Sequence, residues 1–337
     1  MKNALITIVF AVVVLLMSAP TAFAQKQSDS AGSSGAAKDR LTETRESLTD
    51  VVRQTANVVD NFFSTERHSW QNNKTRVTVR GNLDWLDEHG WDIAPDVRIH
   101  LALPGLDDRL RLVVNDDDES EASDRATSDD NESNVALRFI ARANDRYGIT
   151  FDLGASTRGD PSVQGFVRAN FFRTWQLSET WDGRLENRLY WYNDSKWRND
   201  VRWYFERLIG DKFFFRARSR LDYQEDKDSD WYPEQRFTLF QQISDRSALA
   251  YEVLAEEIFF DDSPFDRGEI LKPDDRFTHF QARLRFRQNI GYPWLFYEIW
   301  PIAWWTEERD YEFTPSIRFR LEVVLGDPPR TTRLGMN

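Results

Sequence analysis

The stretch RFTHFQARLRFRQNIGYPWLFYEIW, residues 276–300, decides the fold. In its first half three arginines, Arg283, Arg285 and Arg287, alternate with apolar residues. Because successive side chains of a β-strand point to opposite faces, a strand here has one cationic face and one apolar face. The short turn sequence NIGYPW then leads into a second strand. The stretch therefore predicts a pair of strands whose two faces meet different surroundings.

The same period of two continues from about residue 74 almost to the C-terminus. For example, Phe213, Phe215 and Ala217 alternate with Arg216 and Arg218. Each such pattern is typical of a strand with one polar face. We count about fourteen of these segments, and each is close to the ~9–11 residues that a tilted strand needs to cross a bilayer.

The connectors between these segments differ in length. Short ones include NDRYG at 144–148 and SDRS at 244–247, whereas longer acidic ones include residues 115–133 and 261–275. Short turns at one end and long loops at the other are the topology of outer-membrane barrels, in which the long loops lie outside the cell. An even number of strands places both chain ends in the periplasm.

The N-terminus predicts a cleaved signal peptide over residues 1–24. Lys2 supplies a positive charge, residues 4–17 form an apolar run, and the sequence AFA at 22–24 resembles a cleavage site. The apolar run is shorter than the ~20 residues of a spanning helix, which disfavours an uncleaved membrane anchor.

Four regions follow from these patterns. After the signal peptide, residues 25–73 contain a polar linker and then apolar residues at helical spacing, which predict a short amphipathic helix. This helix could be a periplasmic arm, a plug, a partner-binding coil or a cap on the barrel end. The barrel itself is predicted over residues 74–325, and residues 326–337 form a C-terminal tail.

The composition limits the functional classes. The 337-residue chain has no cysteine, 13 tryptophans and 24 phenylalanines, and its formal net charge is -12. No later apolar run is long enough for a spanning helix, so any passage through a membrane uses strands. Without cysteine the chain cannot be a lipoprotein. Export and the negative charge together oppose nucleic-acid binding.

The pattern over residues 74–325 resembles the Gram-negative outer-membrane β-barrel proteins, a broad porin-like class. The resemblance implies an all-β fold, an antiparallel transmembrane β-barrel of about fourteen strands with twelve as the alternative, in the cell outer membrane. It also implies outer-membrane lipids, lipopolysaccharide, small solutes and the barrel assembly machinery as partners. One departure is that GDPPRTTRLGMN follows the last strand, so the assembly machinery would read the internal sequence IRFRLEVVL at 317–325.

A soluble, exported β-sandwich or barrel is the alternative fold, since its strands also alternate. In such a protein the water-facing side normally mixes several polar residue types. Here arginine dominates the polar faces, and aromatic residues cluster near strand ends, as in NFFRTW at 170–175 and IAWWTE at 302–307. Aromatic clusters at these positions are typical of interfacial girdles, so the membrane barrel is favoured.

If the apolar faces meet lipid, the arginines face the lumen, because an arginine facing lipid at the bilayer midplane costs about 2–4 kcal/mol. The candidate lumen and selectivity residues are Arg138, Arg142, Arg168, Arg184, Arg188, Arg202, Arg216, Arg218, Arg220, Arg283, Arg285, Arg287, Arg318 and Arg320. Acidic candidates on the same faces are fewer, namely Glu186, Glu206, Asp222, Glu298 and Glu322. The lumen is either an open pathway for anions or a polar core sealed by ion pairs, and the excess of arginine favours the pathway.

Other chemistry finds little support. The chain has four histidines, and no nucleophile elbow or spaced catalytic set surrounds them. The acidic run at 115–121 lacks the glycine and the spacing of an EF-hand. We therefore predict no catalytic residue, no metal and no cofactor. The candidate functions, in order, are a passive channel for small anionic solutes, a sealed structural or partner-binding barrel, and a lipid-modifying enzyme of the outer membrane.

Overall fold

The structure, a computed structural model, describes residues 62, 75–87, 89–102, 109–114, 133–144, 146–158, 160–178, 180–210, 212–225, 230–259, 276–292 and 294–326. The predicted signal peptide, the C-terminal tail beyond Gly326 and most of the predicted segment 25–73, apart from Phe62, lie outside these residues. Among the described residues, no helix has the length and apolar character needed to cross a bilayer.

Fourteen antiparallel strands make up nearly all of the described chain. They are β1 (Arg76–Leu86), β2 (Gly90–Ala102), β3 (Leu110–Val114), β4 (Ser133–Ala143), β5 (Tyr147–Arg158), β6 (Asp160–Gln176), β7 (Asp182–Tyr192), β8 (Lys196–Ile209), β9 (Phe213–Gln224), β10 (Asp230–Ser244), β11 (Ser247–Phe259), β12 (Arg276–Asn289), β13 (Leu295–Thr306) and β14 (Thr314–Gly326). A short 3-10 helix, Glu307–Arg309, lies between β13 and β14.

Each strand pairs with its neighbours in sequence, and β1 pairs with β14, so the sheet is a closed barrel. The predicted antiparallel barrel of about fourteen strands is therefore confirmed. Arg76, at the start of β1, lies opposite Gly326, at the end of β14. We call this end of the barrel the terminal end and the opposite one the loop end.

The two ends differ in their connections. The turns at 144–146 and 245–246 join strands at the terminal end, whereas the connections of residues 115–132 and 260–275 join strands at the loop end. The expected division into short turns and long loops is not complete, because β1 and β2 are joined at the loop end by residues 87–89 alone.

The barrel is polar inside and apolar outside. Leu153, Val163 and Leu321 are 66%, 67% and 51% exposed, whereas arginines at alternating positions are almost fully buried. A soluble sandwich would bury the apolar set instead. Only a lipid environment accommodates an outer surface of this kind, so the chain is an outer-membrane β-barrel.

The apolar outer face makes a direct prediction for Leu153, which lies near the middle of β5. Leu153→Arg should lower the free energy of unfolding by about 2–4 kcal/mol, because the guanidinium would face the bilayer interior. Urea unfolding in lipid vesicles measures this change.

Thr157→Arg is the matched control, since Thr157 lies on the same face of β5 but closer to the loop end. Near the interface the penalty falls to about 0–1 kcal/mol. Equal effects of the two substitutions would contradict the placement of β5 across a bilayer.

Candidate functional site

The inward-facing side chains of the strands, which we call the inner wall, carry most of the buried charge. Strand alternation decides which residues face inward, and antiparallel register places the inward residues of adjacent strands side by side. Among the described residues, sixteen arginines and twelve carboxylates are buried. The arginines are Arg80, Arg98, Arg111, Arg138, Arg168, Arg184, Arg198, Arg202, Arg216, Arg218, Arg236, Arg283, Arg285, Arg287, Arg318 and Arg320. The carboxylates are Asp84, Asp152, Asp182, Glu186, Asp200, Glu206, Asp222, Glu234, Glu252, Glu256, Glu298 and Glu322.

Most of the arginines predicted to line the lumen belong to this set. Eleven of the fourteen are buried on the inner wall. Arg188 and Arg220 also face inward, and the side chain of each is 14% exposed. The five acidic residues predicted for these faces are all buried there as well.

Arg142 lies elsewhere. The pairing of β4 with β5 shifts by one residue between Ile140 and Arg142, so Arg142 lies opposite Ile149 instead of an inward residue. Its guanidinium carbon is 5.0 Å from the centroid of the Tyr147 ring, and its side chain is exposed. A bulge inserts one residue into a strand and changes the face of those that follow, which explains why simple alternation placed Arg142 in the lumen.

Several inner-wall residues were not among the sequence candidates. The missed carboxylates are Asp84, Asp152, Asp182, Asp200, Glu234, Glu252 and Glu256, and the missed arginines are Arg80, Arg98, Arg111, Arg198 and Arg236. The signal was present in the alternation, because Asp152 shares its face of β5 with Thr150 and both are buried. With these residues included, the inner wall is much closer to charge balance than the sequence candidates alone indicate.

Arg287 in β12 is the centre of a buried ion-pair triad. Its guanidinium contacts Glu298 in β13, and its Nη2 donates to Oε1 of Glu322 in β14 at 2.7 Å. The other oxygen of Glu322 accepts from Nε of Arg80 at 2.7 Å. All of these side chains are at most 5% exposed. Guanidinium is suited to such pairing, because its planar fork donates to two carboxylates at once.

Further ion pairs extend this triad along the wall. Arg285 in β12 lies 3.7 Å from Glu298, and it also donates a hydrogen bond to Glu252 in β11 at 3.3 Å. Glu252 lies 3.8 Å from Arg236 in β10, which lies 3.4 Å from Glu234.

The chain of pairs then continues into β9 and β8. Glu234 contacts Arg218 and lies 4.0 Å from Arg220, both in β9. Arg220 in turn lies 3.1 Å from Asp200 in β8. At the other end Arg80 lies 3.4 Å from Asp96 in β2. Alternating charges thus run without a break across β1, β2 and β8–β14, and we call this series the ion-pair chain.

A separate cluster joins β4, β5 and β6. Asp152 accepts hydrogen bonds from Nε of Arg138 at 2.8 Å and from Nε of Arg168 at 2.6 Å. Asn170 adds a third donor at 3.2 Å. One carboxylate, Asp152, is therefore shared by two buried guanidiniums.

Trp300 in β13 is fully buried and forms an aromatic platform for the inner wall. The guanidinium carbons of Arg285 and Arg320 each lie 4.3 Å from its ring centroid, and those of Arg283 and Arg318 lie at 5.2 and 5.3 Å. Its indole Nε1 donates to Glu298 at 2.6 Å. Guanidiniums over an indole face are held by cation–π attraction, so this side chain orders the arginines of two strands, β12 and β14.

The inner wall becomes apolar near the terminal end. Phe214, Phe240, Ala248, Ala250, Phe296 and Val324 form one buried cluster there, and Phe62 packs into it. The Phe62 ring meets that of Phe296 edge to face at 6.2 Å and lies 5.7 Å from the guanidinium of Arg287. The part of the chain that precedes the barrel thus contacts the lumen through Phe62.

His279 is the buried histidine of the wall. Its Nε2 lies 2.9 Å from Oε1 of Glu256, and its ring lies 5.4 Å from that of Trp304. Among the described residues, no group of three or more histidine, cysteine, aspartate or glutamate side chains is arranged to hold a metal ion.

Comparisons with known proteins place the fold in context. No protein-family model matches the chain, and no curated protein matches it. Among solved structures, OprD from Pseudomonas aeruginosa is similar at 9% identity with a TM-score of 0.41, over 75% of this chain and 95% of that one. The NanC porin is similar at 11% identity with a TM-score of 0.35, over 73% and 98% of the two chains. The KdgM porin is similar at 6% identity with a TM-score of 0.32, over the same shares.

Proposed function

We propose that this outer-membrane barrel is a passive channel for small anionic solutes and that the inner-wall arginines are its selectivity elements. The supporting observation is the surplus of buried arginines over buried carboxylates among the described residues. It is notable because the whole chain carries a formal charge of -12. Rings of arginine in a pore favour anions.

The chemistry of the wall suggests how an anion would move. Each guanidinium has five N–H donors, which one carboxylate cannot fill. A permeating anion would accept hydrogen bonds from a guanidinium while that group keeps a fixed carboxylate neighbour. Clusters with two arginines for one carboxylate, such as Arg138, Asp152 and Arg168, are the proposed contact points.

A sealed barrel is the second candidate, and a specific observation favours it. The inner-wall side chains are almost fully buried, and the ion-pair chain links many of them from strand to strand. In a wide water-filled lumen many of these groups would be exposed. In this alternative the arginines form a polar core that holds the barrel closed, and the protein acts through its outer surface or loops.

Single-channel recording distinguishes the two candidates. Purified full-length protein in planar bilayers should give discrete conductance steps, and a salt gradient should give a reversal potential that favours chloride over potassium. Arg188→Gln should shift that potential toward zero, because Arg188 faces inward and lies 3.9 Å from Glu186, so its loss disturbs a loose contact.

Arg173→Gln is the matched control for charge, since Arg173 is exposed on the outer face. It should leave the reversal potential unchanged. Selectivity for cations would contradict the proposal that the solutes are anionic. A folded but electrically silent barrel would contradict the channel and support the sealed core.

We also propose that the barrel assembly machinery reads the internal sequence at 317–325, which lies within β14. The C-terminal tail follows this strand, so the recognised aromatic residue would be Phe319, which faces outward and is 37% exposed. Lipopolysaccharide is the proposed partner of the acidic connections at the loop end, through divalent cations that bridge like charges.

A further inference from the structure

Charge is nearly absent from the outer face of the barrel at the strand positions that the structure describes. Among the outward-facing strand positions whose side chains the structure describes, four carry a charge, namely Arg142, Arg173, Arg207 and Glu257. Glu257 lies near the loop end of β11. The three arginines lie at the other end, on β4, β6 and β8. Among these described positions, positive charge on the lipid-facing surface is therefore confined to the terminal end.

All three arginines lie within three residues of the end of their strand. Arg142 precedes the last residue of β4, Arg173 lies three residues before the end of β6, and Arg207 lies two before the end of β8. With a rise of about 3.3 Å per residue, each is within roughly 10 Å of the strand end. That depth corresponds to the headgroup region, where an outward arginine costs only about 0–1 kcal/mol.

Aromatic rings accompany these arginines. The guanidinium of Arg142 lies 5.0 Å from the Tyr147 ring centroid, and that of Arg207 lies 5.6 Å from the Trp181 ring. Arg173 is directly opposite Tyr147 in the ladder of β5 and β6. Tyrosine and tryptophan are enriched at headgroup level, where one end of the ring is apolar and the other is wet. The aromatic rings therefore mark the same membrane depth as the arginines.

The pairing of these arginines differs from that on the inner wall. Buried arginines such as Arg287 contact carboxylates, whereas Arg142, Arg173 and Arg207 have no carboxylate of the described residues within ion-pair distance. In addition, Nε of Arg207 is buried and has no hydrogen-bond acceptor in the described part of the chain. The guanidiniums of Arg142 and Arg207 lie over aromatic rings, and all three arginines keep donors for an external anion.

We infer that Arg142, Arg173 and Arg207 form a binding surface for the headgroup phosphates of anionic phospholipids in the leaflet at the terminal end. We call this surface the arginine belt. A phosphate matches the planar fork of guanidinium and accepts charge-assisted hydrogen bonds from it. The adjacent outer face is apolar and suits the acyl chains of the same lipid, which makes a phospholipid a better fit than a free phosphate ion.

Lipid competition tests the belt on the full-length protein. In micelles that contain phosphatidylglycerol and phosphatidylcholine, native mass spectrometry gives the preference of the barrel for the anionic lipid. Each substitution of a belt arginine by glutamine should lower this preference about fivefold, the factor that corresponds to ~1 kcal/mol per basic residue near a membrane surface. Replacing all three by lysine should retain most of it, because the charge stays.

Lys196→Gln is the matched control, since Lys196 is exposed at the loop end, and it should not change the preference. A difference in gel migration between unheated and heated samples verifies that each variant is folded. An unchanged preference in the triple glutamine variant would overturn the inference. Displacement of phosphatidylglycerol by millimolar inorganic phosphate would also overturn it, since the site would then be one for the free ion. Neither result depends on whether the lumen conducts.

Discussion

Arg287→Gln is expected to lower the free energy of unfolding by about 3–5 kcal/mol, the range for breaking a buried ion pair by removal of one partner. The substitution takes the shared cation from Glu298 and Glu322, whose side chains are both 0% exposed. Two carboxylates that are cut off from water would then face each other with fewer donors. Urea unfolding of the refolded barrel in vesicles measures the loss.

Arg287→Lys is the control for charge, because one ammonium keeps the positive charge but lacks the fork that spans two carboxylates. Arg287→Lys should therefore lower the free energy of unfolding, but by less than Arg287→Gln does. A loss of less than ~1 kcal/mol for Arg287→Gln would match an exposed ion pair. That result would mean that water reaches the triad and would support an open lumen over a sealed core.

Trp300→Ala should destabilise the barrel by about 3–5 kcal/mol, the usual range for truncation of a large buried aromatic residue. The ring is fully buried, and four guanidiniums lie within 5.3 Å of its centroid. Its loss opens a cavity among charged groups and removes the donor to Glu298. If the barrel still folds, the cavity should also raise its conductance in planar bilayers.

Trp191→Ala is the matched control, since Trp191 faces outward and is 43% exposed. Trp191→Ala should lower the free energy of unfolding clearly less than Trp300→Ala does, because lipid fills the space that the ring leaves. The loss of unfolding free energy in Trp300→Phe should lie between those of the two alanine variants, since phenylalanine keeps an aromatic face but lacks the Nε1 donor. If Trp300→Ala and Trp191→Ala had the same effect, Trp300 would not be a central support of the inner wall.

Much of the fold is predictable because alternation is a local property. In the opening stretch, Arg283, Arg285 and Arg287 were assigned to one face from spacing alone, and all three are buried on the inner wall. The number of strands follows from counting such segments. No long-range information is needed to decide which side of a strand meets lipid.

The partners of each charge could not be predicted in the same way. Glu322 binds Arg287, although β12 and β14 are not adjacent, because both side chains reach across β13. Such contacts depend on register between strands, and the alternation within one strand does not contain the register. The sequence candidates therefore included four of the six arginines of the ion-pair chain but only two of its six carboxylates.

Arg142 shows a second limit. The segment around it reads as regular alternation, yet one extra residue in β4 moves Arg142 to the outer face. Nothing in the residue types at 140–142 marks the bulge, since bulges respond to the pairing of two strands. A single irregularity thus changed a residue from a candidate for the lumen into part of the arginine belt.

The junction of β1 and β14 has a consequence for the order of assembly. Arg80 pairs with Glu322 and Asp84 with Arg318, across 242 and 234 residues of chain. Until β14 arrives, β1 has an open edge, and these charges lack their partners. A slip of one residue in β14 would turn Arg318 and Glu322 toward lipid, at about 2–4 kcal/mol for the arginine. A misaligned junction of β1 and β14 is therefore less stable than the native one, so the ion pairs of this junction specify its register.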